Sequence, residues 1–220
     1  MMWHAARSDS VPQAGRTGLP DEYSNATSIT VYKTLQFRSS GIIDGWVIES
    51  SETSNAGGSF NATATTFFLG DDASNKQYRS ILSFNTSGLP DDAVILSAVL
   101  KIKKQGLVGS NPFTTHQGLL VDIKKPYFGT KLALAAHDFQ ATVNKLAVGT
   151  FGTVPSSGWY SATLLNKAYP YINRTGTTQL RLRFTLDDDN DNTADYMKFF
   201  SGNYGTTTDR PVLVIQYYVP

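Results

Sequence analysis

The densest chemistry in the sequence is the run Asp187-Asp188-Asp189-Asn190-Asp191-Asn192, followed by Asp195. Consecutive acceptor side chains repel one another unless a cation sits among them. Hard oxygen ligands at alternate positions are what Ca2+ coordinates. The run is not an EF-hand, because it lacks the glycine at the sixth position and the glutamate at the twelfth. Two readings stand open: a calcium site built from Asp187, Asp189, Asp191 and Asp195, or a solvated acidic loop between two strands. A second pair, Asp71-Asp72 after Gly70, is either a turn or a source of further ligands.

Basic residues gather in short alternating stretches. Lys101 and Lys103 fall on one strand face, as do Arg181 and Arg183; Lys104, Lys124 and Lys125 lie close by in sequence. Adjacent rows of this kind would form a cationic platform for an acidic polysaccharide, whereas separate rows are solvent faces that discourage edge-to-edge aggregation. Aromatic residues make up 12% of the chain, and Trp46, Trp159, Tyr160, Tyr127, Phe128 and Tyr204 stand nearest to turns. Flat rings pack against the C–H faces of sugars, so Trp159 and Tyr160 are candidate ligand residues; burial as core residues is the competing account. Four N-glycosylation sequons begin at Asn25, Asn61, Asn85 and Asn173.

Several function classes find no support. The chain has no cysteine, which excludes disulfides, thiolate metal sites and cysteine nucleophiles. Of its three histidines, His4 lies in the polar leader, and His116 and His137 lie in loop-like or helical-turn contexts with no carboxylate at ligand spacing. No HExxH, GxSxG, P-loop or GxGxxG pattern occurs, and a non-catalytic protein is expected. A net charge of +1 gives no global field to recruit nucleic acid. No apolar run is long enough for a membrane-spanning helix, and the opening residues Met1 to Ser8 lack the apolar core of a signal peptide.

The elements that must position these residues read as strands. At 220 residues and 40% hydrophobic composition, the chain suits one large β-sandwich with a real core. Gln179-Leu180-Arg181-Leu182-Arg183-Phe184-Thr185-Leu186 alternates almost without fault. Period-two alternation bounded by Gly, Asn, Asp and Ser turns predicts strands near 28–38, 45–50, 65–69, 78–84, 93–104, 118–124, 146–152, 158–162, 179–186, 196–200 and 211–219. Short helical turns are expected near 131–141 and 162–169. The strand at 211–219 is apolar on both faces at its centre, as a central strand would be. So many short strands, with turns at close intervals, predict two packed sheets: an all-β, jelly-roll-like two-sheet β-sandwich.

Three regions follow. Residues 1–27 are polar and rich in Ser, Gly, Pro, Asp and Asn, and read as a leader or linker. Residues 28–40 hold an extra N-terminal strand with Ile29, Val31, Leu35 and Phe37 on one face, interrupted by Lys33. Residues 41–220 form the sandwich module.

Within that module, Leu69-Gly70-Asp71-Asp72 precedes Arg79-Ser80-Ile81-Leu82-Ser83-Phe84-Asn85-Thr86-Ser87-Gly88-Leu89-Pro90 and then Ala93-Val94-Ile95-Leu96-Ser97-Ala98-Val99-Leu100-Lys101-Ile102. This stretch resembles the DNRLRE-domain family, whose pattern is a Gly-Asp turn, then R-x-x-L-x-F-(D/N)-x-S-x-L-P, then A-x-I-x-S-A-x-L. Gly158-Trp159 and Arg210-Pro211-Val212-Leu213-Val214 fit its later elements, so the likeness spans about residues 44–219. The resemblance implies a secreted bacterial or archaeal β-sandwich, with some relatives binding carbohydrate, alginate among them, in a setting where calcium fits. The leader and the extra strand depart from the family.

Two functions are therefore expected to compete. One is an extracellular carbohydrate-binding or cell-surface adhesion module, whose partner is a polysaccharide or surface polymer. The other is a structural subunit of an extracellular filament or surface layer. In that case Ile29, Val31, Leu35 and Phe37 would fill pockets in an identical neighbouring subunit by strand donation. Where strand 28–38 goes discriminates between them.

Overall fold

The computed structural model describes residues 30–220. Ile29 and the sequon at Asn25 lie outside the described residues. Twelve strands run in the order β1 (Lys33–Arg38), β2 (Gly45–Glu49), β3 (Gly57–Asn61), β4 (Thr66–Asp71), β5 (Gln77–Asn85), β6 (Val94–Val108), β7 (Leu119–Lys124), β8 (Lys145–Thr150), β9 (Trp159–Thr163), β10 (Thr177–Phe184), β11 (Tyr196–Phe200) and β12 (Val212–Tyr218). All the pairings are antiparallel. The expected all-β sandwich is what forms. Its two layers are parts of one curled sheet, ordered β1-β12-β6-β11-β4-β5-β10-β7-β8. The long strand β6 makes the join: residues 94–101 pair with β12, and residues 104–108 pair with β11 in the other layer.

Alternation explains the core. β12 turns Leu213, Ile215 and Tyr217 inward, and β10 turns Leu180, Leu182 and Phe184 inward to meet them with Phe67, Leu69, Leu82, Phe84, Met197 and Phe199. A smaller apolar cluster of Val47, Ile81, Phe128, Leu134 and Phe139 lies apart from this core, roofed by the segment between β7 and β8. That segment contains the 3-10 turn Ala136–Phe139, inside one expected helical stretch; Asn166–Tyr171 overlaps the other. β3 was not expected. Its sequence, Gly57-Gly58-Ser59-Phe60-Asn61, has no alternating apolar face; β2 is its one strand partner, and the Gly57 N–H donates to Gln140 Oε1 at 3.0 Å.

The N-terminal strand is shorter than expected and pairs within its own chain. β1 forms the sheet edge against β12, with Leu35 opposite Ile215 and Phe37 opposite Leu213. That register points Leu35 and Phe37 to the core face, where both pack. Val31 precedes the strand and is 61% exposed, so it does not share their face in a common strand. Among the described residues no helix is long and apolar enough to cross a membrane.

Candidate functional site

The acidic run forms the connection from β10 to β11. Asn190 and Asn192 take positive φ angles of 61° and 58°, a conformation asparagine tolerates better than most residues. These two turns fold the run back on itself. Asp189, Asp191 and Asp195 thereby bring one carboxylate oxygen each within 4.8 Å of one another, a set that could hold a metal ion. Asp187, expected as a fourth ligand, is exposed and outside this trio. Its neighbour Asp188 is buried, with Oδ1 accepting the Asn190 N–H at 2.9 Å, so it shapes the turn.

Other loops converge behind the trio. Asp195 is 1% exposed; its Oδ1 accepts the Ser110 N–H at 2.5 Å, while Oδ2 has no partner. Asp71, at the end of β4, is fully buried and its Oδ1 accepts the Asp195 N–H at 3.2 Å. The Nε2 of His116, also fully buried, lies 3.2 Å from that same Oδ1. Burial pushes the Asp71 carboxyl above the usual range, with His116 opposing and Asp189 adding to the shift. Asp191 faces water, and the Thr193 hydroxyl and amide hold its carboxyl below the usual range. His116 has no sequence neighbour to reveal this arrangement; the pairing arises only when the end of β4 and the β6–β7 connection meet.

Beside the acidic loop runs a strip of rings. On β4 and β11, Phe67, Leu69, Met197 and Phe199 enter the core, so Phe68, Tyr196, Lys198 and Phe200 occupy the opposite face. Trp46 from β2 and Tyr78 from β5 join them. Trp46 stacks on Phe68 at 5.4 Å between centroids, and Phe68 meets Tyr196 at 5.1 Å. Tyr78 touches Trp46, Phe68 and Tyr196 at 5.4–5.5 Å. All four rings are half-buried, each keeping an accessible edge or face. Phe200 continues the strip by packing on Tyr204 at 4.2 Å. Burial, reinforced by Asp72, Tyr196 and Asp71, pushes the Tyr78 hydroxyl up to about 12, so it stays a neutral hydrogen-bond donor.

The expected ligand residues are divided. Lys103 and Trp159 are register partners on β6 and β9, and Lys101 lies opposite Ser161 on the same face. Lys101 is exposed, whereas Lys103 is tied to Asp209 at 2.6 Å. Tyr160 is only 3% exposed and stacks on Phe113 at 5.2 Å, so its ring is a core residue and not a sugar platform. Arg181 is likewise buried, at 4% exposed. It bonds Asp122 and the carbonyls of Asp138, Phe139 and Ala141, and Arg183 also bonds Asp122. β6 and β10 are not neighbours, so no joint cationic platform forms from the two rows. Asn61, Asn85 and Asn173 each accept from the hydroxyl two residues on, and the Asn173 amide also donates to Thr177.

The sequence matches no protein-family model and no curated protein.

Proposed function

We propose that the chain is a non-catalytic extracellular carbohydrate-binding or adhesion module. The observation that supports this reading is the strip of half-buried rings, Trp46, Phe68, Tyr78 and Tyr196, contributed by four strands. Clustered rings on a stiff sheet present apolar edges and faces at little entropic cost, and neighbouring polar groups can read hydroxyls. Lys198 on the same face, and the Tyr78 hydroxyl beside Asp72, supply such groups. An extracellular role and a polysaccharide partner are what the sequence resemblance to the DNRLRE-domain family implies, although no family model matches the chain. Calcium is the ion we assign to Asp189, Asp191 and Asp195, because the set is all carboxylate oxygen.

Affinity electrophoresis through gels of neutral and acidic polysaccharides tests the reading. Retardation of the wild type by at least one polymer, lost in Phe68→Ala or Tyr196→Ala, is the expected result. Absence of retardation by every polymer would refute it.

The filament reading loses ground, because the strand expected to be donated forms the edge of its own sheet against β12. It keeps one opening: β1 hydrogen-bonds along its length to β12 alone, so a neighbour's strand could occupy the same register, provided its side chains replaced Leu35 and Phe37 on the core. Deleting residues 1–40 should then abolish self-assembly while leaving a folded monomer; normal assembly of the truncated chain counts against donation.

A further inference from the structure

The acidic loop and the aromatic strip are mechanically continuous. Asp195 ends the loop and Tyr196 begins β11. The Asp71 N–H donates to the Asp195 carbonyl at 3.0 Å, and the Asp195 N–H donates to the Asp71 carbonyl at 3.2 Å. One residue further along from this clasp lie Gly70 and Tyr196, which are register partners, and Gly70 is also the partner of Tyr78. Displacing Asp195 therefore displaces the row on which Tyr78 and Tyr196 meet.

The loop is electrostatically incomplete by itself. Three carboxylates converge within 4.8 Å, and buried oxygens among and behind them lack donors. Asp195 Oδ2 belongs to a side chain 1% exposed, and Asp71 Oδ2 to one fully buried. Native proteins rarely leave buried polar atoms unmatched, and here a cation is the matching group. The Ser110 N–H accounts for one oxygen of buried Asp195 and leaves Oδ2 for the ion.

We infer that a hard divalent cation, calcium, held by Asp189, Asp191 and Asp195 fixes the start of β11 and thereby sets the aromatic strip, making ligand capture by the strip calcium-dependent. The capture half rests on the carbohydrate-binding reading; the coupling of ion to rings does not.

The test uses the full chain, stripped with EGTA and titrated with calcium chloride alone. The melting temperature should rise by about 5–10 °C at a hundredfold excess over the dissociation constant. Near-ultraviolet circular dichroism, which reports ring packing, should change with the same midpoint. Both responses should vanish in Asp189→Asn/Asp191→Asn, whose far-ultraviolet spectrum should remain that of the wild type. An unchanged melting temperature overturns the inference, and so does a rise without a near-ultraviolet change. Polysaccharide gels run with calcium and with EGTA separate the two halves. Equal retardation in both overturns the calcium dependence of capture and leaves the carbohydrate reading standing. No retardation in either refutes that reading, and the inference on ion and rings is then decided by the spectroscopic arm.

Discussion

Tyr78 and Tyr196 meet at 5.4 Å between ring centroids although their strands are not neighbours, because the residue between them in register is Gly70. Gly70 has a φ of +128°, and a Cβ there would stand 2.0 Å from the Asp195 carbonyl oxygen. The same glycine thus lets two rings close over β4 and lets the acidic loop dock against it.

Replacing Gly70 by alanine should therefore be severe. The backbone conformation is strained for any L side chain, and the clash is with main chain that cannot rotate away. A loss of more than about 2 kcal/mol is expected in urea denaturation, with a diminished near-ultraviolet signal. Gly152→Ala is the control. Nothing lies within 4 Å of a Cβ at that position, and its φ is not positive, so the change there should be neutral or slightly stabilising.

Trp46 offers a gentler dissection of the strip. Its indole Nε1 is buried without a partner, while its ring covers Phe68 and Tyr78. Trp46→Phe removes the unmatched donor and keeps a ring, and should cost less than about 1.5 kcal/mol. Trp46→Ala removes the stack and should cost about 3–5 kcal/mol. Equal costs in thermal melts would mean that the stack contributes nothing.

Alternation along β10 identified which residues share a face with Arg181, but not what covers that face. The sequence placed Arg181 and Arg183 in solvent because their strand reads apolar-in, polar-out. The segment between β7 and β8 instead folds over them, offering the carbonyls of Asp138, Phe139 and Ala141. Tyr160 was misplaced for a related reason: nearness to a turn says little about which side of the sheet a ring faces. Asp189, Asp191 and Asp195 were legible because their chemistry is local. Asp71 and His116 join them only through the meeting of the end of β4 with the β6–β7 connection, and Asp187, exposed at the start of the loop, stays outside the trio. The strands themselves were legible wherever alternation was strong. β3, with its paired glycines, was not.

Arg181 should behave as a buried hub. Its guanidinium bonds Asp122 at 3.1 Å and three carbonyls at 2.9–3.2 Å, and it lies 5.0 Å from the Phe128 ring. Arg181→Met leaves the buried Asp122 with Arg183 as its remaining cation and strips the Asp138 and Ala141 carbonyls of this donor, while the Phe139 carbonyl keeps Arg79 at 2.8 Å. A loss of about 3–5 kcal/mol is expected by chemical denaturation. Arg181→Lys should recover little, since an ammonium cannot reproduce the planar fork. Full recovery by lysine would show that charge alone matters at this position.

Asp44 sets the pH dependence that is easiest to isolate. It is fully buried between β1 and β2; its Oδ1 accepts the Ser83 N–H at 2.6 Å, and Oδ2 has no partner. Burial pushes its pKa from 3.8 up to about 8, against the pull of its hydrogen bonds. A folded-state value above the unfolded one means that the folded protein holds the extra proton between those limits. The contribution to stability is then complete below pH 3.8, declines as pH rises, and is lost once pH passes about 8. Asp44→Asn keeps an oxygen for the Ser83 amide and removes the titration. The melting-temperature gap between Asp44→Asn and wild type should move in favour of the variant from pH 5 to about pH 8, then level off. A gap independent of pH across that range would mean that Asp44 does not hold its proton in the folded protein.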